Sequence, residues 1–223
     1  MLVTTYKNFI NGEWLAAQSG RTYQTVNPAD TREIVAEYPL SDQADARAAV
    51  EAAALAYPAW ATTTPVARGR ILSKASQLIE SRKAELARLL TREEGKTLIE
   101  STGEVQRTAD IFRFFGGLSY QLGGQTIPHD LPGNLLYTRR EPLGVVALVT
   151  PWNFPLAIPA WKLAPALVSG NTVVLKPASQ APALTLELAK LLTEAGLPNG
   201  VFNVVIGEGR AVEIGRASCR ERV

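Results

Sequence analysis

"GVVALVTPWNFPLAIPAWKLAPALVSGNTVVLKPASQAP" occupies residues 144–182, and its reading decides the fold. "GVVALVT" (144–150) is short and apolar on both faces, as a central parallel strand requires. "PLAIPAWKLAPALVSG" (155–170) switches to a helical period, and Gly170 stops it. "TVVLKPA" (172–178) is a second buried strand. Further on, "APALTLELAKLLTEAG" (181–196) is a helix with Pro182 early and Gly196 at its end. "VFNVVIG" (201–207) is a third strand, feeding the glycine turn "GEGRAV" (207–212). Strand, helix, strand, helix, strand is one nucleotide-binding half of a Rossmann-like parallel sheet, so the fold class is α/β.

Upstream, residues 6–40 read as short strands punctuated by Asn11-Gly12, Ser19-Gly20 and Asn27-Pro28. Ser41 is the expected N-cap of an alanine-rich helix. Thr64-Pro65 caps a second helical run, which Gly95 ends. A further helix covers "TLIESTGEVQRTADIFRFFGGLSYQL" (97–122), closed by Gly123-Gly124. "NLLYTRREPLG" (134–144) looks extended again. Glu93, Glu94, Glu100 and Glu104 read as a solvated helix face, His129 as a surface residue, and the four tryptophans as packing residues.

Several function classes drop out. A net charge of +2 over 223 residues, without a basic cluster, makes no case for nucleic acid. Pro, Lys or Asn interrupts every apolar stretch before it reaches a membrane span, and the N-terminus lacks a secretory apolar region. One cysteine leaves neither a disulfide framework nor a cysteine-based metal site. No metal is expected, and a cytoplasmic location is the default.

Ligands of open parallel sheets bind beyond the carboxyl ends of the strands. Three such ends are "TPWNFP" (150–155), "KPASQAP" (176–182) and "GEGRAV" (207–212). Lys176 offers a cation, Ser179 a hydroxyl, and Gly207 and Gly209 let backbone approach a phosphate. From pattern alone, plainer roles stay open. Lys176 could be a solvated strand-end lysine, Asn153 a helix N-cap and Ser179 the cap of the next helix.

"TPWNFPLAIPAWKLAPALVSGNTVVLKPASQAP", with "EEGKTLIES" and "FINGEW" upstream, resembles the cofactor-binding core of the aldehyde dehydrogenase superfamily. The resemblance covers nearly all of residues 5–212. It implies the aldehyde dehydrogenase fold, here an N-terminal NAD(P)-binding portion (1–212) truncated before the catalytic domain. It implies that the side-chain amide of Asn153 donates to the oxyanion formed when a cysteine thiolate attacks the aldehyde. Thr150, Pro151, Trp152 and Asn153 would line the cofactor cleft, together with Lys176, Ala178, Ser179, Gly207 and Gly209. Lys176 would bind the adenosine ribose. Ser179 stands where NAD-preferring members often carry a glutamate, so NADP is tolerated or preferred beside NAD. In the superfamily the hemithioacetal passes hydride to nicotinamide, and a glutamate-activated water releases the carboxylate.

"PLGVVALVTPWNFPLAIPAWK" most resembles semialdehyde-oxidising members, such as 2-oxoglutarate or succinate semialdehyde dehydrogenases. Residues 123–142 correspond to an extended oligomerisation arm, which implies a homodimer or homotetramer. The alternative function is a non-catalytic nucleotide-binding or subunit-interaction module. The tail "EIGRASCRERV" (213–223) resembles nothing in the superfamily and back-translates as the adapter of short-read sequencing libraries. It is therefore expected to be non-native, and Cys219 within it is not the nucleophile. On this reading both the catalytic cysteine and the catalytic base lie outside the chain, and these residues alone are inactive.

Overall fold

The computed structural model describes residues 3–212. The expectations for residues 213–223, Cys219 among them, fall outside the described residues. The chain opens with β1 (Thr4–Thr5), β2 (Asn8–Ile10), β3 (Glu13–Leu15), β4 (Thr22–Asn27) and β5 (Asp30–Pro39). Four helices follow: α1 (Gln43–Thr62), α2 (Pro65–Ser81), α3 (Lys83–Glu94) and α4 (Leu98–Leu118). A small hairpin, β6 (Thr126–Ile127) and β7 (Leu136–Tyr137), precedes the α/β unit. That unit runs β8 (Val145–Val149), α5 (Ala157–Val168), β9 (Thr172–Lys176), α6 (Ala183–Ala195), β10 (Phe202–Val204) and the first turn of α7 (Gly209–Val212).

The central sheet has the order β3-β2-β10-β9-β8, and β8, β9 and β10 are parallel as expected. One feature differs from the sequence reading and a second extends it. β8 is an edge strand and only partly buried, because no described strand pairs with its outer side. At the other end β10 is covered rather than bare, since β2 adds antiparallel with Val204 opposite Phe9. Asn11 (φ 53) and Gly12 (φ 81) turn β2 into β3, as the Asn-Gly signal predicts. The fully buried Asn8 anchors this addition. Its amide donates to Ser41 Oγ at 2.7 Å, and its carbonyl oxygen accepts the Ile206 N–H at 2.9 Å. Ser41 is thus a core partner rather than the expected N-cap. Asp42 caps α1 instead, in a reciprocal box with Asp45.

Helices α5 and α6 pack on the sheet with α2, α3 and α4 behind them, while α1 packs against β8, β9 and β10. The Thr172 hydroxyl ties α1 to the sheet through the Ala53 carbonyl at 2.9 Å. Leu163, Leu167, Leu184, Leu188 and Leu192 are fully buried between these layers. Each removes enough apolar area from water to contribute roughly 2–3 kcal/mol. The helical run from Thr64 to Gly95 breaks at Arg82 into α2 and α3, and Gly95 ends α3 with φ 92.

Trp60 is buried and Trp14 packs on the core, but Trp152 and Trp161 are about half exposed. The packing role expected of all four therefore holds for two. Among the described residues, no helix is long and apolar enough to cross a membrane.

Candidate active site

The carboxyl ends of β9 and β10 meet at one carbonyl. Lys176 Nζ donates to Gly207 O at 3.2 Å and to Pro177 O at 3.0 Å, and Ser179 Oγ donates to the same Gly207 O at 3.1 Å. Lys176 is buried, which overturns the solvated strand-end reading. Ser179 does not cap α6 either: the first amide of that helix, Ala183 N–H, is held elsewhere. The Ser179 carbonyl accepts the Tyr23 hydroxyl at 3.0 Å, so the loop is pinned on both sides. Ala178 shares this turn through its carbonyl, which accepts the Ala181 N–H. Gly207 has no room for a side chain. A Cβ there would lie 2.7 Å from Val212 Cγ2 and 2.8 Å from Ser41 O. Gly209 opens α7 beside it.

The β8–α5 loop stands next to this cluster, joined through Thr150 N–H to Lys176 O at 3.2 Å. Thr150 is buried, and its hydroxyl has no hydrogen-bond partner among the described residues. Pro151, Trp152 and Asn153 are exposed. Asn153 is not the cap of α5. Both free amides at that helix start, Leu156 N–H and Ala157 N–H, donate to Glu104 Oε1 at 3.0 Å. A carboxylate from α4 thus occupies the partly positive helix end and leaves the Asn153 side chain outside it.

The expected solvated face of glutamates is the largest correction. Only Glu100 is exposed, serving as the third residue of a Thr97 capping box. Glu104 is buried beneath α5, and Glu93 is buried beneath α6. Glu93 accepts the Ala183 N–H at 2.9 Å, the Thr25 hydroxyl at 3.3 Å and the Tyr38 hydroxyl. The Thr-x-x-Glu spacing from Thr97 was the available signal for the capping role of Glu100. The available signal for Glu104 was its place on one helical face with Ser101, Val105, Thr108 and Phe112, all buried.

Burial pushes the Glu93 carboxyl up to about 7, against the lowering effect of the Tyr38, Ala183 and Thr25 hydrogen bonds. Its folded value lies above its unfolded one, so its contribution to stability is complete in acid and is lost as pH rises through about 7. Between about pH 5.5 and 8.5 this amounts to about 2 kcal/mol of lost stability. Glu93→Gln, which keeps the acceptor for Ala183, is expected to remove that slope. Urea unfolding across the pH range checks it, and parallel profiles for the two proteins would contradict it.

A cavity of about 470 Å³ lies behind the strand ends, lined by Trp152, Ser179, Gln180, Glu93, Glu94 and Thr25 among others. Its walls come from β4, the end of α3 and both strand-end loops. Comparison with known proteins decides the family, because the model of the "Aldehyde dehydrogenase family" matches residues 14–220. The chain belongs to the aldehyde dehydrogenase family. It is 54% identical over 206 residues to the alpha-ketoglutarate semialdehyde dehydrogenase of Haloferax volcanii, covering 92% of this chain and 43% of that protein. The structure of PnpE in complex with nicotinamide adenine dinucleotide is similar at TM-score 0.90 and 41% identity, over 95% of this chain and 43% of that one. A 3,6-anhydro-L-galactose dehydrogenase in complex with NADP matches at TM-score 0.89 and 37% identity, over 94% and 44% of the two chains. The chain therefore spans less than half the length of the relatives it matches.

For a family whose solved members include nicotinamide dinucleotide complexes, the donor set here is suitable. A cation and a hydroxyl at the end of β9 converge on one point, the chemistry that ribose hydroxyls require. The starts of α5 and α6 are not free for a diphosphate, since Glu104 and Glu93 already bond their amides.

Proposed function

We propose that this chain is the cofactor-binding, N-terminal part of an NAD(P)-dependent aldehyde dehydrogenase that oxidises a semialdehyde to a carboxylate. The observation that carries the reading is the pair of neighbouring strand-end loops. One exposes the Asn153 amide, and the other gathers Lys176 and Ser179 at Gly207. Asn153 is the donor to the oxyanion, placed outside its helix so that its amide is free to meet developing charge. Lys176 and Ser179 hold the adenosine ribose, and Trp152 walls the cleft. The bound nicotinamide supplies the hydride acceptor. The cysteine nucleophile and the catalytic base come from the part of the protein beyond these residues.

The names of the relatives favour a semialdehyde substrate, and the exposed Leu135, Leu136 and Tyr137 on the β6–β7 hairpin favour a dimer or tetramer assembled through that arm. The full-length protein is expected to form NAD(P)H in the presence of a dicarboxylic semialdehyde, and residues 1–212 alone to form none. Aldehyde-dependent absorbance at the reduced-nicotinamide band is the measurement. Turnover by residues 1–212 alone would overturn the division of labour.

With a serine rather than a carboxylate at position 179, no like charge opposes a 2′-phosphate, which favours acceptance of NADP beside NAD. Ser179→Glu is expected to lower catalytic efficiency with NADP relative to NAD by roughly 10–100-fold. A like charge facing the phosphate in a partly desolvated cleft costs about 1–3 kcal/mol. An unchanged ratio of the two efficiencies would remove Ser179 from the ribose site.

A further inference from the structure

We propose that Lys96, held by Glu104, is a positioning residue for Asn153. The role assigned to Asn153 rests on the function proposed above; the clamp itself rests on geometry alone. Lys96 follows α3 in sequence, far from the strand ends, yet its side chain is 11% exposed. Its Nζ donates to the Asn153 carbonyl at 3.0 Å and to Glu104 Oε2 at 2.6 Å, and lies 4.3 Å from the centre of the Phe154 ring. The second oxygen of Glu104 accepts Leu156 N–H and Ala157 N–H, each at 3.0 Å. One buried ion pair therefore holds the loop at residues 153, 154, 156 and 157, using its backbone and one aromatic face.

Asn153 is the exposed residue of this clamp, while Lys96 and Phe154 are partly buried and Glu104, Leu156 and Ala157 are buried. A loop held by its carbonyl on one side and its amides on the other has little freedom to rotate the intervening peptides. An oxyanion donor loses most of its effect when it is misplaced by about an ångström, so such bracing matters for rate rather than for cofactor affinity. Glu94 stands 3.7 Å from the same ammonium and supplies a further counter-charge at the rim.

The test uses the full-length protein and its Lys96→Met variant, which keeps an apolar stem against Phe154 and removes the charge. If that variant does not fold, Lys96→Gln carries the same measurements. Hydrogen exchange at the Phe154, Leu156 and Ala157 amides is expected to accelerate at least about tenfold, with β9 amides unchanged. kcat for the semialdehyde is expected to fall roughly 10–100-fold while KM for NAD(P) stays within about twofold. In an Asn153→Ala background, the same Lys96 substitution is expected to cost less than about threefold, because the group it positions is gone. Unchanged loop exchange overturns the clamp. A full kinetic cost persisting without the Asn153 amide overturns the link to Asn153. Absence of any aldehyde oxidation by the unmodified protein sinks the functional reading instead, and the exchange measurement still decides whether Lys96 braces the loop.

Discussion

Asn153→Ala in the full-length protein is expected to lower kcat for aldehyde oxidation by about 10²–10³-fold, the cost of one oxyanion donor. The expectation combines two features of the loop. Asn153 is exposed, and the hydrogen bond recorded for it uses its backbone carbonyl rather than its side chain. Removing the amide therefore leaves the Lys96 and Glu104 contacts in place, and stability should change by no more than about 0.5 kcal/mol. Cofactor affinity should change little, since Lys176 and Ser179 sit on the other loop. Steady-state kinetics beside a thermal melt separates the alternatives. A large fall in melting temperature would make Asn153 a structural residue, and an unchanged kcat would mean that the oxyanion is stabilised elsewhere.

Replacing Arg68 with Met is expected to destabilise the fold by about 3–5 kcal/mol, the cost of leaving several buried carbonyls without their donor. Arg68 is 4% exposed and lies at the junction of three helices. Nε donates to Val168 O, at the end of α5, at 2.9 Å. Nη1 reaches Trp60 O at 3.3 Å, Ala61 O at 3.4 Å and Thr63 O, all at the end of α1. The guanidinium thus answers carbonyls at the ends of α1 and α5, of which Trp60 O also accepts the Thr63 N–H at 3.1 Å, and its charge faces the negative ends of two helix dipoles. Burial lowers its pKa below the usual arginine value.

Gly170, in the left-handed conformation with φ 92, leaves the space the guanidinium needs, since a Cβ there would lie 3.1 Å from Nη1. Lysine has neither the fork nor the reach to bond both helix ends, so Arg68→Lys should recover less than half of the loss. Urea unfolding of both variants is the check. A loss below about 1 kcal/mol for the methionine variant would show that water satisfies these carbonyls.

Much of this protein was legible along the chain. Hydrophobic period separated the strands at 145–149, 172–176 and 202–204 from the helices between them. Glycines marked where the helices stop, because Gly95, Gly170 and Gly196 each adopt a positive φ that a side chain would resist. The order of those elements sets the carboxyl ends on one edge of the sheet, and with them the loops carrying Asn153, Lys176 and Ser179. All of this is local. Each element reports its own period and its own terminator.

What the tertiary structure alone decided concerns polar groups that look solvated in sequence. Glu93, Glu104, Lys96 and Arg68 stand among ordinary surface charges along the chain, yet each meets backbone ends delivered from elsewhere: Ala183 for Glu93, Leu156 and Ala157 for Glu104, Asn153 for Lys96, and Val168 for Arg68. The β2–β3 hairpin likewise finds its partner nearly two hundred residues away, at β10. Periodicity measures which side of an element is apolar, and it assigns a charge to water by default. Whether a charge stays in water depends on the unsatisfied amides and carbonyls of other elements, and those become neighbours only when the layers pack.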